Sequence, residues 1–308
     1  MTVPAIAVRG LVKRYGEQEV LHGLDFDVYR GEVFCMLGPN GAGKTTTVEV
    51  LEGFRDATSG SVRVLGFDPA TQPRPLRDRV GVVLQECGFP RHVRVGELLD
   101  AWRVYYPRPR PLNELLDLVE LTDEKTMLVK QLSGGQRRRL DFALALAGDP
   151  ELIFLDEPTT GFDPEARRRC WTAIENLRSL GKTILLTTHY LDEAEHLSDR
   201  VAVLAEGRIL MVGSTRALAA RTRAPTRISF TTPKAVTRGE LCLPDELDAA
   251  INSNEVVVLA RDASVTVQTI LSWATRSKVD PLENLAVIPP HLEDAYLRLV
   301  DENATPLS

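Results

Sequence analysis

Three short stretches carry residue types at spacings that suit phosphate chemistry. Gly38-Pro39-Asn40-Gly41-Ala42-Gly43-Lys44-Thr45 fits the pattern G-x-x-x-x-G-K-[ST], with Thr46 next in line. Glycines at these positions let the backbone curl until consecutive N–H groups face one anion, and a helix starting there adds the positive end of its dipole. Lys44 would reach the β- and γ-phosphates of a nucleotide, and the Thr45 hydroxyl would ligate Mg²⁺. Leu152-Ile153-Phe154-Leu155-Asp156-Glu157 ends an apolar run with two carboxylates. Asp156 suits a direct or water-mediated contact with Mg²⁺, and Glu157 is the candidate general base that polarises an attacking water. Leu132-Ser133-Gly134-Gly135-Gln136 precedes a helical pattern. Its small residues again offer N–H groups at a helix N-terminus, although Ser133 also reads as an ordinary N-cap.

These stretches need particular elements around them. Leu24, Phe26 and Val28 alternate with Asp25 and Asp27, the pattern of a half-exposed strand. Val33 to Leu37 is continuously apolar, as in a strand buried on both faces, and a helical pattern runs from Lys44 to Leu51. Residues 86–150 read as helical, with candidates at Gly96 to Val104, Leu112 to Leu121 and Gln136 to Ala147. The Pro107 to Pro111 stretch separates the first two. Strands then alternate with helices: Leu152 to Leu155, helix Glu165 to Leu180 closed by Gly181, Thr183 to Thr188, helix Tyr190 to Leu197. Val201 to Leu204 and Arg208 to Val212 flank Glu206-Gly207 as a hairpin. Such alternation implies a largely parallel α/β sheet. After Val212 the texture changes. Strands are expected at Ile228 to Phe230, Glu255 to Leu259 and Ala286 to Ile288, and helices at Val265 to Ala274 and Leu292 to Val300, which together make a small α+β domain.

In this order the motifs resemble those of the ATP-binding subunits of ABC transporters. Leu132 to Gln136 is similar to the family's signature loop, and Leu152 to Glu157 to its strand with the catalytic glutamate. The resemblance implies roles for four further residues. Gln85 would link Mg²⁺ and water to the helical region, and His189 would contact the γ-phosphate. Asp163, in Gly161-Phe162-Asp163, would belong to the D-loop, with Phe162 where leucine is usual. Tyr15 would stack on adenine. The elements cover roughly residues 5–212. The implied fold is a P-loop ATPase, α/β with a parallel sheet core, an antiparallel N-terminal β subdomain and a helical signature subdomain at about 86–150. The ATP-binding domain is expected at 1–220 and the α+β domain at 221–308. In this family two such domains meet head to tail, so that Ser133 to Gln136 of one chain clasps ATP held by the other.

Composition excludes several classes. Over 308 residues, 44% hydrophobic and 26% charged residues describe a globular chain rather than a disordered one. The net charge of −6 is shared evenly by the two expected domains, so no basic half exists for nucleic acid or anionic lipid. The arginines at 137–139 and 167–169 read as solvated helix faces. Cys35, Cys87, Cys170 and Cys242 form no C-x-x-C pair, which fits a reduced compartment and no structural zinc. No apolar run approaches the 18 or so residues of a membrane helix, and no signal peptide is evident.

The stretches Pro158 to Pro164 and Thr188 to Glu195, and a tail at His291 to Leu299, are similar to ABC-2 type exporters, including daunorubicin-resistance ATPases. That resemblance implies a peripheral ATPase on the cytoplasmic face of the membrane, acting as a homodimer or beside a similar chain. A separate multi-span permease would carry a drug, antibiotic or lipid-like cargo. The permease would dock around Gln85 to Leu99, where Phe89, Val93, Val95 and Leu98 either line the groove or belong to the core. The alternatives are a soluble ABC-type ATPase acting on ribosomes, a chromosome-structure or DNA-repair ATPase, and the ATPase of an ABC importer. The first commonly has two cassettes per chain, the second a coiled-coil insertion, and the third a different tail.

Overall fold

The alternation at Leu24 to Val28 asks for a sheet with one face on the core. In the computed structural model, which describes residues 3–83, 88, 90–221, 225–241, 247–277, 279, 282–288, 292–294 and 296, that sheet is three-stranded. β1 (Ile6–Tyr15) pairs antiparallel with β2 (Gln18–Val28), placing Ile6 opposite Val28 and Val8 opposite Phe26. β3 (Val33–Leu37) is buried at every residue and runs into the phosphate loop and α1 (Lys44–Leu51). β4 (Ser59–Val64) returns to the free edge of β1. After α2 (Arg74–Arg77) and β5 (Val80–Val83) come the helices α3 (Val95–Arg103), α4 (Leu112–Leu118) and α5 (Gly134–Leu146). Then follow β6 (Leu152–Asp156), α6 (Pro164–Ser179), β7 (Thr183–Thr188), α7 (Leu191–Leu197), β8 (Arg200–Ala205) and β9 (Arg208–Gly213).

The central sheet has the order β5-β6-β7-β3-β8-β9. Its first five strands are parallel and β9 is antiparallel to β8. Strands covered on both faces read as unbroken apolar runs, as β3 and Leu152–Leu155 of β6 do, while β7 (TILLTT) is equally buried with threonines at both ends. Residues of both sheets share one core: Ile6 and Phe26 from the first, Phe34, Met36 and Phe154 from the second, with Val48 and Leu51 of α1. The Phe26 and Phe34 rings stack at 5.7 Å. Each such side chain contributes on the order of 2 kcal/mol of burial. Glu206 and Gly207 both have positive φ, as the two-residue turn between twisted strands requires.

The chain divides into units Met1–Ser214 and Thr215–Ser308. The expected boundary lay after residue 220, so α8 (Thr215–Arg221) falls in the second unit. That unit adds β10 (Thr226–Thr231), β11 (Asp248–Asn252), β12 (Glu255–Ala260), α9 (Ala263–Arg276) and β13 (Glu283–Ile288). Its sheet is β11-β12-β10-β13, antiparallel throughout, and Ile270 and Trp273 of α9 pack on Ile228, Phe230, Val256 and Val258. Residues 292–294 and 296 are helical, and the rest of the expected terminal helix lies outside the described residues.

Two expectations are corrected. β11, with sequence DAAIN, was not anticipated, because its alanines carry no strand signal. Arg138 is not on a solvated face: it is 8% exposed, its guanidinium donates to Pro158 O (3.2 Å) and it pairs with Asp141 at 3.4 Å. Arginine is buried only where its charge is paired and its donors are taken. Cys35 and Cys170 are buried free thiols, and Cys87 and Cys242 lie outside the described residues.

Candidate functional site

The loop between β3 and α1 is held from both sides by backbone. Gly38 N–H donates to Thr188 O (3.3 Å), and Gly207 N–H donates to Ala42 O (3.1 Å), so β7 and the β8–β9 turn fix its two ends. At Gly43, φ is 103° and a Cβ would lie 2.6 Å from Leu21 Cδ2. Only glycine combines that backbone with that proximity.

Lys44 is 4% exposed. Its ammonium donates to Gly38 O (2.8 Å) and Pro39 O (3.1 Å) and lies 3.3 Å from Glu157 Oε1. Thr45 Oγ1 lies 3.5 Å from Asp156 Oδ1, at the end of β6. The same Asp156 oxygen accepts the Thr187 hydroxyl (2.5 Å). Glu157 follows with φ of 46°, and its N–H is shared between Thr187 O (3.2 Å) and Thr187 Oγ1 (3.0 Å). Its Oε2 accepts the Thr160 hydroxyl (3.1 Å), and His189 Nδ1 is 3.3 Å away without hydrogen-bond alignment.

Burial alone would raise the Glu157 pKa. The charge of Lys44, hydrogen bonds from Lys44 and Thr160, and His189 outweigh it and hold the carboxyl below the ordinary glutamate value. At the end of α1, burial first, then the charges of Asp156 and Glu49, push Glu52 up to about 8.

These side chains open onto one cleft of about 640 Å³. Its lining includes Asn40, Gly41, Gly43, Lys44, Thr45 and Thr46 of the loop and helix, with Glu157, Thr160 and His189 facing them and Gln18 and Val20 at the side. Sequence reasoning missed Gln18, Val20 and Thr160 as lining and Thr187 as a support. Thr187 reads only as a strand residue, and Gln18 and Val20 carry no motif.

The other expected residues lie elsewhere. Ser133, Gly135 and Gln136 line a separate pocket of about 210 Å³ with Arg138 and Phe162. There Ser133 caps α5: its Oγ accepts Gln136 N–H (3.2 Å), and Gln136 Oε1 accepts Ser133 N–H (2.8 Å), a reciprocal cap that leaves Gly134 in the first turn. Asp163 caps α6, accepting Glu165 and Ala166 N–H at 2.9 Å each. Those bonds lower its pKa. Tyr15 is 40% exposed at the end of β1, between Lys13 and Arg55, and is not among the residues lining the cleft. Gln85 and Phe89 lie outside the described residues. Of the expected docking segment, Val95 and Leu99 are buried and Val93 and Leu98 half-buried.

A parallel α/β sheet that ends a strand in such a loop, with a lysine, a hydroxyl and two carboxylates around it, defines a P-loop nucleotide-binding protein. The family model described as "ABC transporter" matches residues 21–160. Nod factor export ATP-binding protein I of Burkholderia lata is 35% identical, over 97% of this chain and 98% of that protein. Daunorubicin resistance ATP-binding protein DrrA3 of Streptomyces coeruleorubidus is 41% identical, over 72% of each. A solved ATP-binding subunit of an ABC transporter superposes with a TM-score of 0.64 at 26% identity, covering 70% of this chain and 92% of that one. The chain belongs to the ABC transporter family, as one of its ATP-binding proteins, and is an ATPase. No helix among the described residues is long and apolar enough to cross a membrane.

Proposed function

We propose that this chain hydrolyses ATP to power export of a drug, antibiotic or lipid-like compound through a separate multi-span permease, from the cytoplasmic face of the membrane. The export reading is supported by relatives named for Nod factor export and daunorubicin resistance, the former aligned over nearly the whole chain, tail included. The same relatives disfavour the ribosomal and importer readings.

The observation that carries the mechanism is Lys44 between the loop carbonyls and Glu157. A triphosphate entering the cleft competes for that ammonium. As Lys44 turns to the β- and γ-phosphates, Glu157 loses its cation and its pKa rises, which makes it a stronger base towards water. Water then attacks the γ-phosphorus, its proton passes to Glu157, and the bond to ADP breaks. His189, beside Glu157 Oε2, steadies the γ-phosphate, and Gln85 would contribute from the segment after β5.

The Thr45 hydroxyl and the Asp156 carboxylate suit Mg²⁺, which takes one or two protein oxygens and leaves its other positions to phosphates and water. When bound it would neutralise charge on the β- and γ-phosphates. Glycines 38, 41 and 43, with Pro39, Asn40, Ala42 and Thr46, form the cradle, and Tyr15 would meet the base. Ser133 to Gln136, with Asp163, serve the cleft of a second copy or a similar chain. That reading is supported by Ser133, Gly135 and Gln136 opening, beside Phe162, onto a pocket other than the one holding Lys44.

Glu157→Gln is the test. ATP binding should persist, the ATP-bound dimer should accumulate on size exclusion, and turnover should fall by roughly 10²–10⁴-fold. Full turnover in this variant would remove Glu157 from its role.

A further inference from the structure

Glu193, in the first turn of α7, is a carboxylate with 0% exposure, and the mechanism above leaves it unused. A buried carboxylate costs several kcal/mol unless its oxygens are bonded, so its partners matter. Oε1 accepts the Thr159 hydroxyl at 2.8 Å and the Trp171 indole N–H at 3.0 Å. Burial raises its pKa, opposed by the Thr159 and Trp171 hydrogen bonds and by the charge of Arg167.

Each partner belongs to a different part of the site. Thr159 is two residues beyond Glu157 and adjoins Thr160, whose hydroxyl bonds Glu157 Oε2. Glu193 itself lies four residues beyond His189, in the first turn of the helix that follows it, where Thr188 Oγ1 accepts Tyr190 N–H (3.0 Å). Trp171 is on α6, the helix that Asp163 caps. A second bridge runs parallel to the first: the Arg167 guanidinium of α6 lies 4.2 Å from the Tyr190 ring centroid, and that ring is 4.1 Å from the ring of His189.

We propose that Glu193 is a positioning residue of the ATPase site: by anchoring the Glu157 and His189 segments to α6, it sets the spacing between those two side chains. The assignment rests on the roles given above to Glu157 and His189. It makes α6 the common support of both, so a displacement of α6 is felt at both ends of the cleft.

Steady-state ATPase assays on the full-length chain test this, with melting temperatures measured in parallel. Glu193→Ala should lower kcat about 10-fold or more while KM for ATP stays within about threefold, since the phosphate cradle is untouched. Glu193→Gln keeps an acceptor oxygen for Thr159 and Trp171 and should restore kcat to within about threefold of wild type. Thr159→Val should also lower kcat, and the double variant Thr159→Val/Glu193→Ala should be no slower than the slower single variant, because both remove one link.

Loss of KM rather than kcat, wild-type kcat in folded Thr159→Val, a Gln variant as slow as the Ala variant, or multiplying single effects would each overturn the proposal. Should Glu193→Ala fail to fold, Thr159→Val and Glu193→Gln decide alone. The Glu157→Gln variant run alongside separates the two readings. Persistent turnover there defeats the base assignment, whereas its loss with normal Thr159→Val kinetics defeats only the role of Glu193.

Discussion

Replacing Gly38 by alanine probes how tightly the phosphate loop is seated. A Cβ at this position would lie 2.1 Å from Leu204 O and 3.2 Å from the Leu204 carbonyl carbon. Carbon–oxygen contacts between backbones close to about 3.3 Å, so the loop and β8 must separate by about 1 Å. Neither is free to do so. Leu204 is fully buried in β8 between β3 and β9, and the loop is bonded at Gly38 N to Thr188 and at Ala42 O to Gly207. Overpacking of this kind costs about 1–3 kcal/mol, which lowers the melting temperature by roughly 2–10 °C at this size. The N–H groups of the cradle move by the same ~1 Å, and misplacement on that scale is worth up to about 10²-fold. Calorimetric titration with MgATP should therefore show affinity reduced by about 10–100-fold. Gly239→Ala is the matched control: its added Cβ meets nothing within 4 Å and its φ is not positive. Wild-type affinity together with a wild-type melting temperature in Gly38→Ala would refute the packing argument.

Three further outcomes are expected. Lys44→Ala should weaken ATP binding by at least about 10-fold, from the loss of a charge-assisted contact, and unchanged binding would mean that the loop is not the phosphate site. Glu151 bonds Arg79 twice (2.6 and 2.8 Å) and Arg30 once (2.9 Å), and chiefly the Arg79 bonds hold its pKa at about 2. A lowered folded-state pKa stabilises fully above the ordinary value of about 4.3 and is lost as pH falls towards 2. The carboxylate is 44% exposed, so screening limits the effect to about 1 kcal/mol. The stability gap between wild type and Glu151→Gln should therefore shrink from pH 7 to pH 3 in urea titrations, and a constant gap would count against it. Arg138→Ala leaves Asp141 buried without this partner and should cost about 2–4 kcal/mol in equilibrium unfolding, where a solvated arginine would cost less than about 0.5.

What was legible in the sequence depended on whether one signal dominated. β3 and the Leu152–Leu155 part of β6 are continuously apolar, so their burial was legible directly, and the parallel sheet followed from the alternation of strands with helices. β1 was hidden because Gly10, at φ of 58°, and the register shifts around it break the alternation that marks a strand. β4 begins Ser-Gly-Ser and reads as a turn, yet Gly60 is required there because a Cβ would lie 2.3 Å from Gly10 O. The cleft residues with a motif, Asn40, Gly41, Gly43 to Thr46 and Glu157, could be named in advance, since their spacing is itself the chemistry. Thr187, Thr160 and Glu193 could not, because their partners are brought close only by the sheet order. Arg138 was misread for the same reason: a run of three arginines gives no hint that the middle one faces a backbone carbonyl 20 residues away.

Glu157 shows why the two kinds of information separate at this point. β6 is buried on both faces through Leu155, and a regular strand would carry its extended backbone on past Asp156. The left-handed backbone at Glu157 ends it. For a residue with a Cβ it costs on the order of 1–3 kcal/mol, and glycine would relieve it. Glycine, however, would remove the carboxylate that faces Lys44, Thr160 and His189. The strain is held by the paired acceptance of the Glu157 N–H at Thr187, whose hydroxyl in turn bonds Asp156. One threonine on the neighbouring strand thus orients both carboxylates at the end of β6. The requirement for a carboxylate outweighs the local backbone preference only because β7 supplies that support in register.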